Sequence, residues 1–325
     1  MPMLSFDQLN RRYGPWVSLA LGVAAVVYMR RGLGFAPVAI GVLMLAWIGA
    51  AALRRLAPEP QAGPSALPRW RRMLVPTANS IVVSLWQNVL FYLLPVWWAS
   101  AVLGSWNIAL PVLLSAMALL SCFEYQWRAW VLERPLAHAM WSALVLFATL
   151  VPAAAVVAVP LRLSLALSAA VAVVAAAAAL LSHARFSRPA RWLLLVAVAS
   201  AAGVLGPWAA PLLPPVPVVR TASGVGTAIE ARMLIGANDT FPPGTERVYA
   251  WFAVAVPAGY RQNVRFEWYR DGEPVGRARE TLVIGGRPDG FRTWSLRTAP
   301  APGHWEVDLR TDSSQLVARE RFVVR

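Results

Sequence analysis

Hydrophobic residues follow two different patterns along this chain of 325 residues. Up to residue 213 they gather into seven long runs, and a helix needs about 20 apolar residues to cross a bilayer core of ~30 Å. From residue 227 onward apolar and polar residues alternate with a period of two, which is typical of half-buried β-strands. The pattern therefore predicts a polytopic all-α helical bundle in a membrane, followed by an all-β domain.

The seven apolar runs are predicted to be transmembrane helices of a membrane domain that covers residues 1–213. They are Pro15–Met29, Gly34–Leu53, Ala78–Ala99, Asn107–Phe123, Ala137–Val159, Ser164–Ser182 and Trp192–Leu213. No small-residue cleavage site follows the first run, so we interpret it as a retained signal anchor. The centres of the predicted spans carry no clear charge, which argues against proton-coupled transport.

Arginines are distributed unevenly around the predicted spans, and this indicates an orientation. Twelve fall in the N-terminal segment and in loops on its side of the membrane, and three fall in the opposite loops. Cytoplasmic loops carry the excess of basic residues. We therefore predict a bacterial inner-membrane protein with a cytoplasmic N-terminus and a periplasmic C-terminal domain. The net charge of +14 then reflects membrane topology, and we predict no nucleic-acid binding.

A change in composition separates the two predicted regions. Clustered prolines, three of them at Pro214, Pro215 and Pro217, predict a stiff Pro-rich linker over residues 214–226. Beyond it, seven strands separated by turn signals predict an antiparallel β-sandwich over 227–325, immunoglobulin-like in architecture. The strands are Thr227–Ile235, Arg247–Val256, Asn263–Tyr269, Arg277–Ile284, Phe291–Arg297, His304–Arg310 and Leu316–Val324.

Sequence motifs for common hydrolytic chemistry do not occur in this chain. It has no HExxH zinc motif and no GxSxG nucleophile elbow, which are the local signatures of zinc proteases and serine hydrolases. Its single cysteine, Cys122, lies in an apolar run and provides neither a disulfide framework nor a cysteine metal site. We predict no catalytic residue, no metal and no cofactor.

Four residues of the predicted sandwich are candidates for ligand contact. Trp268, Trp294 and Trp305 supply aromatic rings, and Arg292 supplies a cation. Together they would stack on a sugar or bind an acidic ligand. The alternative is that the tryptophans form the core of the sandwich and Arg292 forms a surface ion pair.

The predicted third span carries a second polar cluster. Ser80, Ser84 and Gln87 are spaced at i, i+4 and i+7, so they share one helix face, and Asn88 follows directly. Such residues form hydrogen bonds between transmembrane helices. The alternative is a polar lining for a lipid headgroup or a small ligand.

Three aromatic motifs in the C-terminal region carry a family resemblance. They are Phe266-Glu267-Trp268-Tyr269, Phe291-Arg292-Thr293-Trp294-Ser295 and Pro302-Gly303-His304-Trp305-Glu306-Val307. In this order they resemble an uncharacterised bacterial domain of unknown function, the 2914 type, over about residues 230–325. The preceding spans resemble a companion uncharacterised polytopic membrane family. The resemblance implies a bacterial envelope location and supplies no activity and no catalytic residues.

These observations favour a non-enzymatic membrane protein. Its helices would lie in the lipid bilayer, and its periplasmic β-sandwich would bind an envelope glycan or a protein partner. The alternative is a membrane enzyme or transferase that acts on a lipid-linked substrate through its polar third span.

Overall fold

The computed structural model describes residues 16, 19–20, 22–24, 87–181, 187–287 and 289–325. The predicted span Gly34–Leu53 lies outside the described residues, as do Ser80, Ser84 and most of Pro15–Met29. The described part of the chain is helical up to Leu212 and consists of strands from Val219 onward. The predicted order, a helical region followed by an antiparallel-rich β region, is therefore confirmed.

The longer helices occupy the predicted apolar runs with small shifts at their ends. They are 87–99, Ala109–Cys122, Pro135–Val156, Leu161–Leu181 and Arg188–Leu205. Shorter helical pieces are Trp106–Ile108, Glu124–Trp127, Arg128–Leu132 and Gly206–Leu212. The piece Arg128–Leu132 is a π-helical turn, a form that usually occurs as a single widened turn.

Three helices of the described residues are long and apolar enough to cross a membrane. They are Pro135–Val156, Leu161–Leu181 and Arg188–Leu212. The pair Trp106–Cys122 and Tyr125–Leu132 makes a fourth span if both helices, which meet at a bend of 110°, are counted together. The structure therefore contains three or four candidate spans in its described residues, against the seven that the sequence predicts for the whole chain.

The chain divides into two compact units. One contains the described residues before Val96, Leu113–Thr149 and the described part of Ala175–Phe186. The other contains Val96–Val112, Leu150–Val174 and Ser187–Arg325. The second unit therefore includes helical residues as well as all the strands.

The first strand lies in the segment predicted to be a linker. Strand β1 is Val219–Gly226, whereas the Pro-rich linker was predicted over 214–226. Arg220 and other polar or small residues of this strand give it little apolar alternation, so the sequence carries no strand signal there. Its backbone is paired antiparallel with β5, which supplies the order that its side chains do not.

The strands form two main sheets and a separate hairpin. The remaining strands are β2 Ala228–Glu230, β3 Met233–Ile235, β4 Thr240–Phe241, β5 Arg247–Ala255, β6 Arg261–Arg270, β7 Glu273–Pro274, β8 Arg279–Ile284, β9 Phe291–Thr298, β10 Gly303–Thr311 and β11 Leu316–Val324. One sheet has the order β1-β5-β9, and the other has the order β4-β11-β10-β6-β7, with β8 also paired to β6. Strands β2 and β3 pair only with each other.

The inner faces of the two main sheets share one hydrophobic core. Phe252 of β5 and Phe266 of β6 are fully buried, with their ring centroids 5.7 Å apart. Phe322 of β11 stacks on Trp305 of β10 at 6.0 Å. A buried aromatic pair contributes about 0.5–1.5 kcal/mol beyond its area burial. The immunoglobulin-like topology of this sandwich stays a prediction.

Strand β5 is buried on both faces, as its apolar sequence predicts for a central strand. Trp251 and Ala253 lie on its outer face, yet both are buried. The β2–β3 hairpin provides the cover: the carbonyl oxygen of Arg232 accepts a hydrogen bond from Trp251 Nε1 at 3.0 Å. A Cβ atom at Gly226 of β1 would approach the carbonyl oxygen of Ile235 to 2.6 Å, so the hairpin packs directly on this sheet.

Candidate functional site

Trp268 and Trp305, two of the four predicted ligand residues, lie in the core. They are 6% and 3% exposed, and their rings meet edge to face at 6.3 Å. The indole Nε1 of Trp268 donates to the hydroxyl of Ser295 on the opposite sheet, at 3.1 Å. The indole of Trp305 donates to the carbonyl oxygen of Ala301 at 2.9 Å. Both indoles therefore pack and hydrogen bond inside the sandwich.

Arg292 and Trp294, the other two, lie on the outer face of the three-stranded sheet. Trp294 pairs with Trp251 in the antiparallel register of β5 and β9, and Arg292 pairs with Ala253. A guanidinium nitrogen of Arg292 lies 3.8 Å from a carboxylate oxygen of Asp289. The structure thus separates the four residues into a core pair and an outer-face pair.

Gln87 and Asn88 of the predicted membrane polar cluster are the members that the structure describes. Gln87 is buried, and its Nε2 lies 3.2 Å from the sulfur of Cys122. Asn88 is half-buried. This polar contact joins two helical segments that are far apart in the sequence.

A concave surface of the β region lies on the outer face of the six-stranded sheet. It is a depression of about 640 Å³. Strands β6, β10 and β11 form its floor, and their outward residues carry mostly charged side chains. We call this surface the charged face; its floor consists of Glu267, Tyr269, Glu306, Asp308, Arg310, Arg319 and Arg321. Asp239, Asp271 and His304 lie at its rim.

Asp308 occupies the centre of the charged face and is fully buried beneath two arginines. Arg319 donates from Nε and Nη2 to its carboxylate at 2.6 and 2.8 Å. Arg310 donates from Nη2 and Nε to one of the same oxygens at 2.6 and 3.1 Å. Charge-assisted bonds of this kind are about twice as strong as neutral ones, and paired donors fix the orientation of both groups.

The ion pairs continue on both sides of Asp308. On one side, Arg319 also contacts Glu306 at 3.1 Å, and Arg321 contacts the other oxygen of Glu306 at 2.8 Å. On the other side, Arg310 contacts Glu267 at 3.2 Å. Positive and negative charges therefore alternate across three strands, and each acid is shared between two arginines.

The titration of this face follows from its contacts. Hydrogen bonds to the Asp308 carboxylate raise the pKa of the Arg319 guanidinium. Burial, reinforced by a hydrogen bond to Glu267 at 2.9 Å, raises the pKa of the Tyr269 phenol. Both shifts favour the protonated form, so Arg319 stays charged and Tyr269 stays neutral at neutral pH.

The charged face consists of ion-paired hydrogen-bond donors and acceptors. The arginines are committed as hydrogen-bond donors to carboxylates, and the face holds no cysteine or serine nucleophile among its described lining residues. Among the residues that the structure describes, no group of three or more histidine, cysteine, aspartate or glutamate side chains could hold a metal ion. The exposed Arg321 and the rim acids remain able to contact a ligand.

The sequence predicts which residues of this face point outward, but not how they pair across the strands. In β6 and β10, charged residues alternate with buried apolar ones, whereas in β11 the charged residues Arg319, Glu320 and Arg321 are consecutive. The alternation identifies outward positions, but the register that places Asp308 opposite both Glu267 and Arg319 depends on long-range pairing. The ion-pair network could therefore not be read from single strands.

The fold and the charged face define a protein with apolar, membrane-compatible helices and a β-sandwich at its C-terminal end. The chain belongs to the family described as "Family of unknown function (DUF5924)", which matches residues 4–238. Residues 261–324 match a second family, "Protein of unknown function (DUF2914)". The resemblances expected from the sequence are therefore confirmed in both regions. No curated protein matches this chain.

Several solved structures share a partial similarity with the chain. A crystal structure of beta-glucosidase from Listeria innocua in complex with isofagomine matches at 9% identity and a TM-score of 0.23. The same enzyme in complex with glucose matches at 9% identity and a TM-score of 0.22. Each match covers 33% of this chain and 16% of the enzyme chain, so this protein spans a small part of their length.

Both family matches extend into the sandwich, and the gap between them contains β5. The match to residues 4–238 includes β1 and the β2–β3 hairpin, and the match to 261–324 includes β6 to β11. Strand β1 pairs with β5 in the three-stranded sheet, so the segment matched by the first family contributes a strand to the β-sandwich. The sandwich is therefore built from residues of both family segments.

Proposed function

We propose that this protein is a seven-span bacterial inner-membrane protein that binds an envelope ligand or a protein partner at the charged face of its β-sandwich. The N-terminus lies in the cytoplasm and the sandwich in the periplasm, as the asymmetry of the loop arginines favours. The lipid bilayer surrounds the helices. The observation that carries the binding proposal is the charged face itself, with a fully buried carboxylate fixed by two arginines at its centre.

The rigidity of the charged face favours binding over a purely structural role. An exposed ion pair contributes only about 0–1 kcal/mol, so a network of this size adds little stability at its outer members. Groups held in advance in a fixed orientation lose little conformational freedom when a ligand binds. Arg321 is the outermost arginine of the network, and its side chain is 65% exposed.

The charge pattern favours a ligand that carries both acidic and basic or hydroxyl groups. Arg321 would pair with a carboxylate of the ligand, because a guanidinium matches the geometry of a carboxylate. Asp271 and Asp239 at the rim would accept hydrogen bonds from amino or hydroxyl groups. Fragments of peptidoglycan combine such groups, since they join sugars to short peptides, and they are present in the periplasm.

Thermal unfolding of the full chain in lipid nanodiscs tests this proposal. Soluble peptidoglycan fragments serve as the probe, and neutral dextran oligosaccharides serve as the uncharged control. A ligand that binds only the folded state at a concentration of about 100 times its Kd adds about 2.7 kcal/mol of stability. We expect the fragments to raise the melting temperature and dextran to leave it unchanged.

Two arginine variants make the test specific to the face. Arg321→Ala removes an exposed cation of the charged face, and Arg292→Ala removes a cation on the opposite sheet. The shift should shrink at least twofold in Arg321→Ala and persist in Arg292→Ala. Equal shifts in both variants, or no shift in the unmodified protein, would contradict binding at this face.

Membrane orientation has its own test, independent of any ligand. Alkaline phosphatase is active only after export, so it reports on the side of the membrane where it is fused. We expect activity for a fusion after residue 325 and none for a fusion in the Arg-rich loop at residue 60. The reverse pattern would contradict the proposed topology.

A further inference from the structure

The turn between β10 and β11 contacts helical residues of the second unit through Arg162. This arginine lies at the start of the helix Leu161–Leu181. Its Nη2 donates to the carbonyl oxygen of Asp312 at 2.7 Å, and its Nε donates to the hydroxyl of Ser313 at 3.2 Å. A guanidinium that binds two acceptors at once orients both of them. The turn is therefore held at the helix start by directional bonds.

Gln315 and its neighbour in the chain extend this contact. Gln315 is fully buried, and its Nε2 donates to the carbonyl oxygens of Leu213 and Pro214 at 3.2 and 3.0 Å. The carbonyl oxygen of Leu316 accepts a hydrogen bond from Asn107 Nδ2 at 3.1 Å. Two helical segments of the second unit, and the residues that directly follow the helix Gly206–Leu212, are thus bonded to the turn and to the residue after it.

Asn107 organises the loop that precedes the helix Ala109–Cys122. Its Oδ1 accepts hydrogen bonds from the backbone N–H of Val102 at 3.0 Å and from the hydroxyl of Ser105 at 2.6 Å. The same side chain donates to β11. A displacement of β11 at this point would therefore change the hydrogen bond that protects the Val102 amide.

The charged face bonds to the same turn from the other side. Arg310 donates from Nη1 to the carbonyl oxygen of Ser314 at 3.1 Å, and Arg265 donates from Nη2 to the Ser314 hydroxyl at 2.9 Å. Arg310 also contacts Asp308 and Glu267 within the face. One side chain therefore belongs both to the charged face and to the support of the turn.

We infer that the β10–β11 turn couples the charged face to the helical segments, so that this protein transmits the state of the face to its membrane helices. The inference rests on the proposed function, because the ligand of the charged face would be its signal. A ligand carboxylate or amine that changes the partners of Arg310 alters the support of Ser314. The altered turn then changes the bonds of Arg162, Gln315 and Leu316 to the helical segments.

The contact between the turn and the helical segments is suited to rearrangement. It consists largely of hydrogen bonds to backbone carbonyls, which adjacent donors can exchange without opening an apolar core. The Oε1 atom of Gln315 is buried and has no hydrogen-bond partner among the residues that the structure describes. A buried acceptor left unpaired costs free energy, and an arrangement that pairs it would recover that cost.

Hydrogen exchange of the full chain in nanodiscs tests the coupling without a ligand. Arg310→Ala should accelerate exchange of the amides in 101–108, with Val102 as the reporter. Coupling is reciprocal, so Arg162→Ala should accelerate exchange at Arg310 and its neighbours in β10. We expect about fivefold or greater acceleration in each direction, which is the lower end of allosteric coupling.

An internal reference separates coupling from general loosening. Strand β5 lies in the other sheet, and its amides should keep their exchange rates in both variants. Equal acceleration in β5 and in 101–108 would mean overall destabilisation and would overturn the inference. Arg310→Lys keeps the charge but loses the fork of donors, so it provides the same test if the alanine variant does not fold. Arg292→Ala, on the opposite sheet, should change neither segment.

A final arm distinguishes failure of the coupling from failure of the proposed function. Peptidoglycan fragments are added to the unmodified protein, and exchange is followed at β10 and at 101–108. Protection of β10 together with changed exchange at 101–108 supports both the coupling and ligand binding at the charged face. Protection of β10 alone would overturn the coupling and leave ligand binding intact. No change at β10 would contradict the proposed function, and the variant results alone would then decide whether the turn couples the two regions.

Discussion

The outer faces of the two sheets differ in character: one is apolar and covered, and the other is charged and open. The outer face of the β1-β5-β9 sheet carries apolar residues such as Trp251 and is covered by the β2–β3 hairpin. The outer face of the other sheet carries alternating charges and stays open. An apolar face must be covered to stay out of water, whereas a charged face meets its hydrogen-bonding needs internally. The charged face is therefore the more open of the two outer faces.

The largest effect should come from Trp305 in the shared core. Trp305→Ala removes an indole that packs on Phe322 and Trp268 and leaves a cavity. We expect a loss of about 3–5 kcal/mol of unfolding free energy, as for other large-to-small core changes of aromatic residues. Trp294→Ala, on the outer face of the three-stranded sheet, should cost clearly less. Pulse proteolysis in urea measures both, and equal losses would contradict the placement of the two rings.

The next effect should come from the centre of the charged face. Asp308→Asn keeps the size of the side chain but leaves Arg310 and Arg319 without their buried counter-charge. Removing one partner of a buried pair costs about 3 kcal/mol or somewhat more. Asp289→Asn, whose carboxylate is 85% exposed beside Arg292, is the matched control and should not change stability measurably. A neutral result for Asp308→Asn would show that the face is not held by this carboxylate.

A smaller loss of stability is expected where the β2–β3 hairpin packs on the three-stranded sheet. Gly226→Ala places a methyl group 2.6 Å from the carbonyl oxygen of Ile235 and should cost about 1–3 kcal/mol through overpacking. Gly224→Ala meets only the end of the Leu234 side chain, at 3.0 Å, which can move aside. We expect the second change to cost less when both are measured by urea unfolding. Equal and negligible costs would mean that the hairpin does not pack on β1.

The smallest effect at neutral pH concerns Tyr260 in the core. Its hydroxyl is buried and has no hydrogen-bond partner among the described residues, so Tyr260→Phe should leave stability unchanged or slightly raised. Burial raises the pKa of this phenol. The folded state therefore holds the proton more tightly than the unfolded state, whose pKa is about 10. The contribution of the protonated Tyr260 phenol to the free energy of unfolding is fully present below that pH and is lost as the pH rises above it.

The alkaline limb of a stability profile measures this contribution. Unfolding free energies between about pH 8 and pH 11 should fall more steeply in the unmodified protein than in Tyr260→Phe. Tyr269, whose pKa is also raised, should keep part of the slope in the variant. Identical slopes in the two proteins would contradict burial of the Tyr260 hydroxyl in the folded state.

Local patterns predicted several strands and turns of the β region. The bounds of β11, Leu316–Val324, agree with the prediction, and β5 is central, as its two apolar faces indicate. Asp271 and Gly272, in the tight turn after β6, both have positive φ, a conformation that an Asp-Gly pair favours. Each of these features depends on residues that are close in the sequence, so the sequence contains the signal.

Features that depend on long-range pairing were not predictable in the same way. Strand β1 is polar, and its order comes from β5, which is more than twenty residues away. Asn107 and Arg162 lie at the ends of apolar runs, where polar residues usually meet water or lipid headgroups. Their contacts with the β10–β11 turn appear only when the chain is folded. The charged face likewise requires the register of three strands.

Carboxylate labelling of the full chain in nanodiscs, with and without peptidoglycan fragments, compares the two outer faces most directly. A carbodiimide modifies accessible acids, and mass spectrometry locates each modified site. Binding at the charged face predicts protection of Asp239 and Asp271 at its rim, with Asp289 on the opposite sheet unchanged. Protection of Asp289 alone, or of no acid in the β-sandwich, would contradict the assignment of the open, charged face as the binding surface.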